Sequence, residues 1–94
     1  MRPLETLSVA DFVPLRGDRF VIAADGAEPF DAELVEVTEI DREPGGRAPF
    51  SLVFRGGPDP PLAQGIHRVE HEQLGALEIF LVPIATDRYE AVFT

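Results

Sequence analysis

The sequence predicts an all-β fold of about six antiparallel strands, arranged as a small meander barrel or sandwich with one short N-terminal helical turn. Two observations carry this prediction. The apolar residues fall into short alternating or continuous runs, and turn-forming glycine, proline and aspartate residues separate these runs at hairpin-sized intervals. The clearest pair of runs is 76–84 and 88–93, which are joined by three residues and are typical of a β-hairpin.

The helical turn is predicted to begin at Ser8. The Ser8 side chain is placed to cap the helix start, and Asp11 adds negative charge to the first turn, where it is favourable. Pro14 and Gly17 then limit the helix to a single turn. The apolar residues around this turn are expected to plug one end of the sheet; they are Leu7, Phe12 and Leu15.

The first strand is predicted over 19–24, and the Asp25-Gly26 turn leads into a second strand over 29–40. In this second strand the apolar residues occupy even positions up to Leu34 and odd positions from Val35. Because side chains alternate between the faces of a strand, the switch predicts a bulge or a stretch that is buried on both sides.

A polar loop at 41–48 precedes the four remaining strands, and a glycine- and proline-rich breaker at 56–61 separates the first of them from the other three. The strand over 76–84 is apolar at both parities, so we expect it to be central and buried on both faces, with Phe80 and Leu81 both essential for folding. The predicted strands are 49–55, 65–72, 76–84 and 88–93.

Composition predicts one domain over residues 1–94. The chain has 45% apolar residues, which is enough for one modest core. It has no cysteine and no lysine, which excludes disulfides, thiol nucleophiles, Schiff bases and phosphate-loop lysines.

The longest apolar run, 79–85, is too short to span a membrane, so we expect a soluble protein of the bacterial cytoplasm. The net charge of −9 argues against nucleic acids and anionic membranes as partners.

One motif has a known chemistry. His67-Arg-Val-Glu-His71 matches the H-x-x-E-H pattern of a class of zinc peptidases. That pattern needs a helix, because residues four apart on a strand lie about 13 Å apart and cannot share one zinc ion. Gly65 and the β-branched Ile66 and Val69 favour a strand, so we predict two strand histidines. We therefore assign no catalytic, cofactor-binding or metal-ligating residue, and expect no cofactor.

Several segments of the chain carry a resemblance to known proteins: Leu4–Leu7, Asp11–Phe12, Glu33–Val37, Pro49–Leu52, Phe54–Gly56, Glu70–His71, Leu74–Gly75, Phe80–Pro83 and Arg88–Phe93. Together they resemble a family of small uncharacterised bacterial proteins that is described as a domain of unknown function. The resemblance implies a single all-β domain and supplies no catalytic residues. It also implies that such proteins sometimes accompany phage-tail-like genes.

The sequence favours a non-enzymatic structural or protein-interaction module, which self-associates or binds a protein partner. The terminal strand, 88–93, is a candidate free sheet edge for such pairing. The alternative is a small-ligand-binding β-barrel, with the loops at 41–48 and 56–64 as its lid. A third hypothesis is a hydrolase or metal enzyme that uses His67, His71 and nearby acids.

The strong net charge leads to a prediction about stability. We expect the melting temperature to rise between low salt and about 0.2 M salt, because added ions screen the repulsion among the excess carboxylates. Thermal unfolding followed by circular dichroism at several salt concentrations measures this. A melting temperature that falls with salt would instead mean that local ion pairs outweigh the repulsion.

Overall fold

The computed structural model describes residues 8–23, 28–39, 49–57 and 62–93, and within these residues six antiparallel strands close into a barrel behind one short helix. This confirms the all-β prediction and selects the barrel over the sandwich. The elements are helix α1 (Val9–Phe12), a 3-10 turn (Val13–Leu15), β1 (Arg19–Ala23), β2 (Phe30–Glu39), β3 (Phe50–Gly56), β4 (Gly65–His71), β5 (Gly75–Ala85) and β6 (Arg88–Phe93).

The strand order around the barrel is β1-β2-β3-β6-β5-β4. Two three-stranded meanders, β1 to β3 and β4 to β6, are therefore joined side by side. One junction pairs β3 with β6, and the other pairs β1 with β4 from Val21↔Glu70 to Ala23↔Arg68. A single continuous meander would place β3 next to β4, so the two meanders meet through strands that are distant in sequence.

The barrel closure leaves no free edge at β6. This strand pairs with β3 from Phe50↔Phe93 to Arg55↔Arg88, and it also pairs with β5 next to their shared hairpin. The prediction that 88–93 forms an exposed sheet edge is therefore wrong. Its backbone groups are used by two neighbouring strands, and any partner must contact side chains instead.

The apolar parity switch in β2 marks a bulge, as predicted. The β2–β3 register runs through Leu34↔Phe54 and then shifts before Glu36↔Val53. The shift returns Val37, which is partly buried against the core, to the inner side of the barrel. The extra residue of the bulge thus lets apolar side chains point into the barrel both before and after it.

Helix α1 plugs one end of the barrel with an aromatic cluster. The Phe12 side chain is fully buried, and its ring centroid lies 5.7 Å from those of Phe50 and Phe93. The Phe50 and Phe93 rings stack with centroids 4.6 Å apart. Leu15 is also buried, so two of the three predicted plug residues are confirmed, and Leu7 lies outside the described residues.

The ends of the helical segment follow from local chemistry. The Ser8 backbone N–H donates a hydrogen bond of 2.8 Å to the Asp11 carboxylate, which is half of a capping box. Gly17 ends the segment at φ +92°, a conformation that glycine adopts without strain. The Gly17 N–H then donates to the Leu34 carbonyl at 2.7 Å, which joins the end of the helical segment to β2.

Other predicted connections are tested only in part. The turn between β5 and β6 is present at Thr86-Asp87, and the Asp87 carbonyl accepts a 2.8 Å hydrogen bond from the Gly56 N–H. The Asp25-Gly26 turn, the loop at 41–48 and residues 58–61 of the breaker lie outside the described residues.

Strand β5 is buried on one face only, so the prediction of two buried faces is wrong. Leu77, Ile79 and Leu81 are at most 2% exposed and point into the barrel. Phe80 and Ile84, at the opposite parity, are each 50% exposed. A closed barrel has one interior, and no described element covers the outer side of β5.

Adjacent residues of β5 provide a direct test of this one-sided burial. Leu81→Ala is expected to lower the free energy of unfolding by about 3 kcal/mol, because it removes a fully buried side chain. Phe80→Ala is expected to cost about 1 kcal/mol, because the ring is already half exposed. Urea unfolding of both variants measures the difference, and equal losses would contradict the assignment of the two faces.

Candidate functional site

The two histidines of the H-x-x-E-H pattern both lie on β4, which confirms the predicted strand. They bind different partners: the His67 Nε2 atom lies 2.9 Å from the Ala63 carbonyl oxygen, whereas the His71 ring contacts Asp18. Residues four apart on a strand are separated by about 13 Å, so the two rings do not converge. Within the described parts of the chain, no three histidine, aspartate or glutamate side chains are grouped closely enough to hold a metal ion.

His71 is the buried ionisable side chain of the barrel rim. Its Nε2 atom lies 3.0 Å from the Asp18 carboxylate, and its Nδ1 atom lies 3.0 Å from the Gln73 backbone nitrogen. The Phe20 ring packs against the imidazole with centroids 4.6 Å apart. The His71 side chain is 5% exposed, and that of Asp18 is 48% exposed.

The hydrogen-bond partners determine the form of the neutral ring. A backbone N–H can only donate, so Nδ1 accepts from Gln73 and Nε2 carries the proton that it donates to Asp18. Both ring nitrogens are then occupied. A general base needs a nitrogen that can reach its substrate, so this arrangement suits a structural link between the β4–β5 turn and the start of β1.

Two surface clefts are lined largely by charged side chains that are paired with one another. The first, of about 630 Å³, lies beside His71 and contains Arg68 and Glu70, whose Nε and Oε1 atoms are 2.8 Å apart. The second, of about 520 Å³, contains Arg55 and Glu33 at 3.0 Å. In each cleft the arginine and glutamate side chains named here are thus engaged with each other.

The barrel interior is filled by aromatic side chains. Phe20 and Phe54 meet edge to face at 5.2 Å, and Tyr89 is fully buried. The Tyr89 hydroxyl accepts a hydrogen bond of 2.8 Å from the Leu62 N–H, which satisfies the polar end of the ring. A ligand inside the barrel would need the space that these rings occupy, so the interior does not favour a ligand carrier.

The outer side of β4, β5 and β6 carries large exposed apolar side chains. Ile66, Phe80, Ile84 and Val92 are between 50% and 68% exposed, and Val82 is partly exposed between them. We call these five residues the apolar face.

The strand pairing brings the members of the apolar face together. Ile66 on β4 lies directly opposite Phe80 on β5. Val82 lies opposite Glu90 on β6, and Val92 lies two residues beyond Glu90 on the same outward side of that strand. The face therefore crosses three neighbouring strands.

The sequence carries a signal for this face, but the same signal also fits a buried strand. The second apolar parity of β5, through Phe80 and Ile84, predicts a second covered side. Ile66 is β-branched, which indicates a strand but not which side of it is exposed. Only the barrel closure, which gives each strand one inner side, identifies these residues as external.

Comparison with known proteins gives one match. The model of a family described as Domain of unknown function (DUF6916) matches residues 7–93. No curated protein and no solved structure matches the chain.

The His71 arrangement leads to a spectroscopic prediction. We expect ¹⁵N–¹H correlation spectra recorded at alkaline pH to report the Nε2-protonated form of the neutral His71 ring, because Nδ1 accepts from Gln73. His67 gives a second test of the same reasoning: the Ala63 carbonyl oxygen can only accept, so the neutral His67 ring should also carry its proton on Nε2. An Nδ1-protonated His71 would contradict the structural role.

Proposed function

We propose a non-enzymatic function for this chain, which belongs to the family Domain of unknown function (DUF6916): a structural or protein-interaction module that binds through the apolar face. The observation that carries the proposal is the exposure of Ile66, Phe80, Ile84 and Val92 on one side of the barrel. Contiguous exposed apolar side chains on a small domain are typical of surfaces that another molecule covers.

The outer side of β2 provides a contrast within the same barrel. Its outward positions carry Asp31, Glu33 and Glu36, as expected for a strand face in water. The outward side of β4, β5 and β6 also carries charged residues, such as Glu78 and Glu90, but it includes large exposed apolar side chains that the outward side of β2 lacks. Because barrel folding requires only the inner side to be apolar, this difference favours a binding role for the outer side.

The rim chemistry supports a non-enzymatic role. His71 has both ring nitrogens occupied, and the Arg68 side chain is paired with Glu70. The chain has no cysteine or lysine nucleophile. The described residues thus offer no group of acid, base and nucleophile with which to propose a reaction.

The cellular setting stays a prediction. No helix among the described residues is long and apolar enough to cross a membrane. A bacterial cytoplasmic location and a phage-tail-like context are consistent with the composition and with the family resemblance, and we include both in the proposal.

Site-specific crosslinking in the cells that naturally produce the protein tests the interaction role. Phe80 is replaced by the photoreactive p-benzoylphenylalanine, which keeps an aromatic ring at the centre of the apolar face. Irradiation is expected to give an adduct of one or two discrete masses, because a specific surface meets a specific partner. The adducts are resolved by gel electrophoresis and mass spectrometry.

The matched control places the same photoreactive residue at Val13, which is 58% exposed on the 3-10 turn, outside the apolar face. No discrete adduct is expected from this position. Equal crosslinking from both positions, or none from position 80, would overturn the proposed function.

A further inference from the structure

The two hydrogen bonds of the His71 ring fit only its neutral form. Nδ1 accepts from the Gln73 backbone N–H at 3.0 Å, and Nε2 donates to the Asp18 carboxylate at 3.0 Å. A protonated imidazole carries an N–H on both nitrogens and has no acceptor. Two N–H groups would then face each other across the 3.0 Å that now separates Nδ1 from Gln73. The bond to Gln73 is therefore lost whenever His71 is charged.

The bond to Asp18 depends on the charge of the ring in the opposite way. Nε2 carries its hydrogen in both the neutral and the charged form, so this hydrogen bond persists when His71 takes up a proton. It then joins a cation to a carboxylate, and such charge-assisted hydrogen bonds are stronger than neutral ones. Protonation thus strengthens the link from β4 to the start of β1 and breaks the link from β4 to the following turn.

Charged side chains of both signs line the cleft beside His71. They are Asp18 and Arg19 at the start of β1, Arg68 and Glu70 on β4, and Glu72 on the β4–β5 turn. Strand β5 contributes Gly75 and Ala76, which carry no charge. The carboxylates outnumber the guanidinium groups by three to two. Burial of the His71 ring opposes a positive charge, and this local excess of carboxylate offsets part of that cost.

The turn, and not the ring, is the part that can move. The His71 side chain is 5% exposed and is held between Asp18 and the Phe20 ring. Glu72 and Gln73 are exposed, so a Gln73 N–H that is released from Nδ1 meets water and keeps a hydrogen-bond partner. Leu74 is buried and anchors the end of the turn to the core. The movement is therefore confined to residues 72–73.

We propose that His71 is a pH-sensitive latch: the neutral ring holds the β4–β5 turn through Gln73, and protonation releases residues 72–73 while the barrel stays closed. Histidine is the side chain whose charge ordinarily changes between about pH 5 and pH 8, so the latch operates near neutral pH. Glu72 lines the cleft of about 630 Å³ beside His71, so release of the turn changes the shape of that cleft. This inference goes beyond the proposed function and makes no use of the apolar face.

Nuclear magnetic resonance on the full chain tests the latch between about pH 8 and pH 5. Three quantities are followed: the ¹⁵N shifts of the His71 ring, the scalar coupling across the hydrogen bond between the Gln73 amide nitrogen and Nδ1, and the hydrogen-exchange protection factor of the Gln73 amide. The coupling is expected at the alkaline end and is expected to vanish as the ring takes up its proton. The protection factor is expected to fall at least tenfold with the same midpoint.

Two variants and one amide serve as controls. The chain has two histidines, so His67→Gln leaves His71 as the remaining imidazole, and the behaviour of Gln73 is expected to be unchanged. In His71→Gln the protection factor of Gln73 is expected to vary less than twofold over the same range. The Val69 amide, at the centre of β4 between Ile22 and Leu77, is expected to keep its protection throughout.

Each contrary outcome overturns the latch. A coupling to Gln73 that persists after the ring is protonated contradicts the donor–acceptor argument, and a ring that stays neutral down to about pH 5 removes the trigger. Equal loss of protection at Val69 and Gln73 would mean that the barrel unfolds as a whole. A pH-dependent Gln73 in His71→Gln would assign the response to another group. The coupling is measured in the unmodified protein, so the test stands even where His71→Gln does not fold.

Discussion

The β1–β4 ladder is the contact on which the rest of this structure depends, because it turns two three-stranded meanders into one closed barrel. It is short, running from Val21↔Glu70 to Ala23↔Arg68. The hydrogen bond between Asp18 and His71 lies at one end of this ladder, since Asp18 precedes β1 and His71 ends β4. A buried, fully hydrogen-bonded histidine thus reinforces the junction that closes the sheet.

Closure also determines where a partner can bind. In an open sheet the outer strands would offer unpaired backbone groups, and in this barrel β1 and β4 satisfy each other instead. The interior is closed in a second way, because Phe12 covers the end where Phe50 and Phe93 stack. With the edges paired and the interior filled, the binding that we propose involves the outer side chains.

Features that depend on neighbouring residues could be predicted from the sequence. The parity switch between Leu34 and Val35 indicated the β2 bulge, because alternation is a local property of a strand. Ser8 and Gly17 marked the ends of the helical segment for equally local reasons. The pairing of β3 with β6 could not be predicted, because it joins residues that no turn connects.

The apolar face was harder to predict than the fold for a physical reason. An apolar side chain lowers the free energy when it leaves water, whether the barrel core or another molecule covers it. Phe80 and Leu81 therefore look alike in the sequence, although one is half exposed and the other is buried. The hydrogen bond between His71 and Asp18 could not be predicted either, because the two residues lie 53 positions apart in the chain.

An apolar face on a strongly acidic domain has a consequence for specificity. The net charge of −9 repels other copies at long range and so limits indiscriminate association through the apolar side chains. At contact distance, the positions of individual charges matter more than their sum. In the binding that we propose, the apolar side chains supply the attraction, while the excess carboxylates disfavour partners that bring further negative charge.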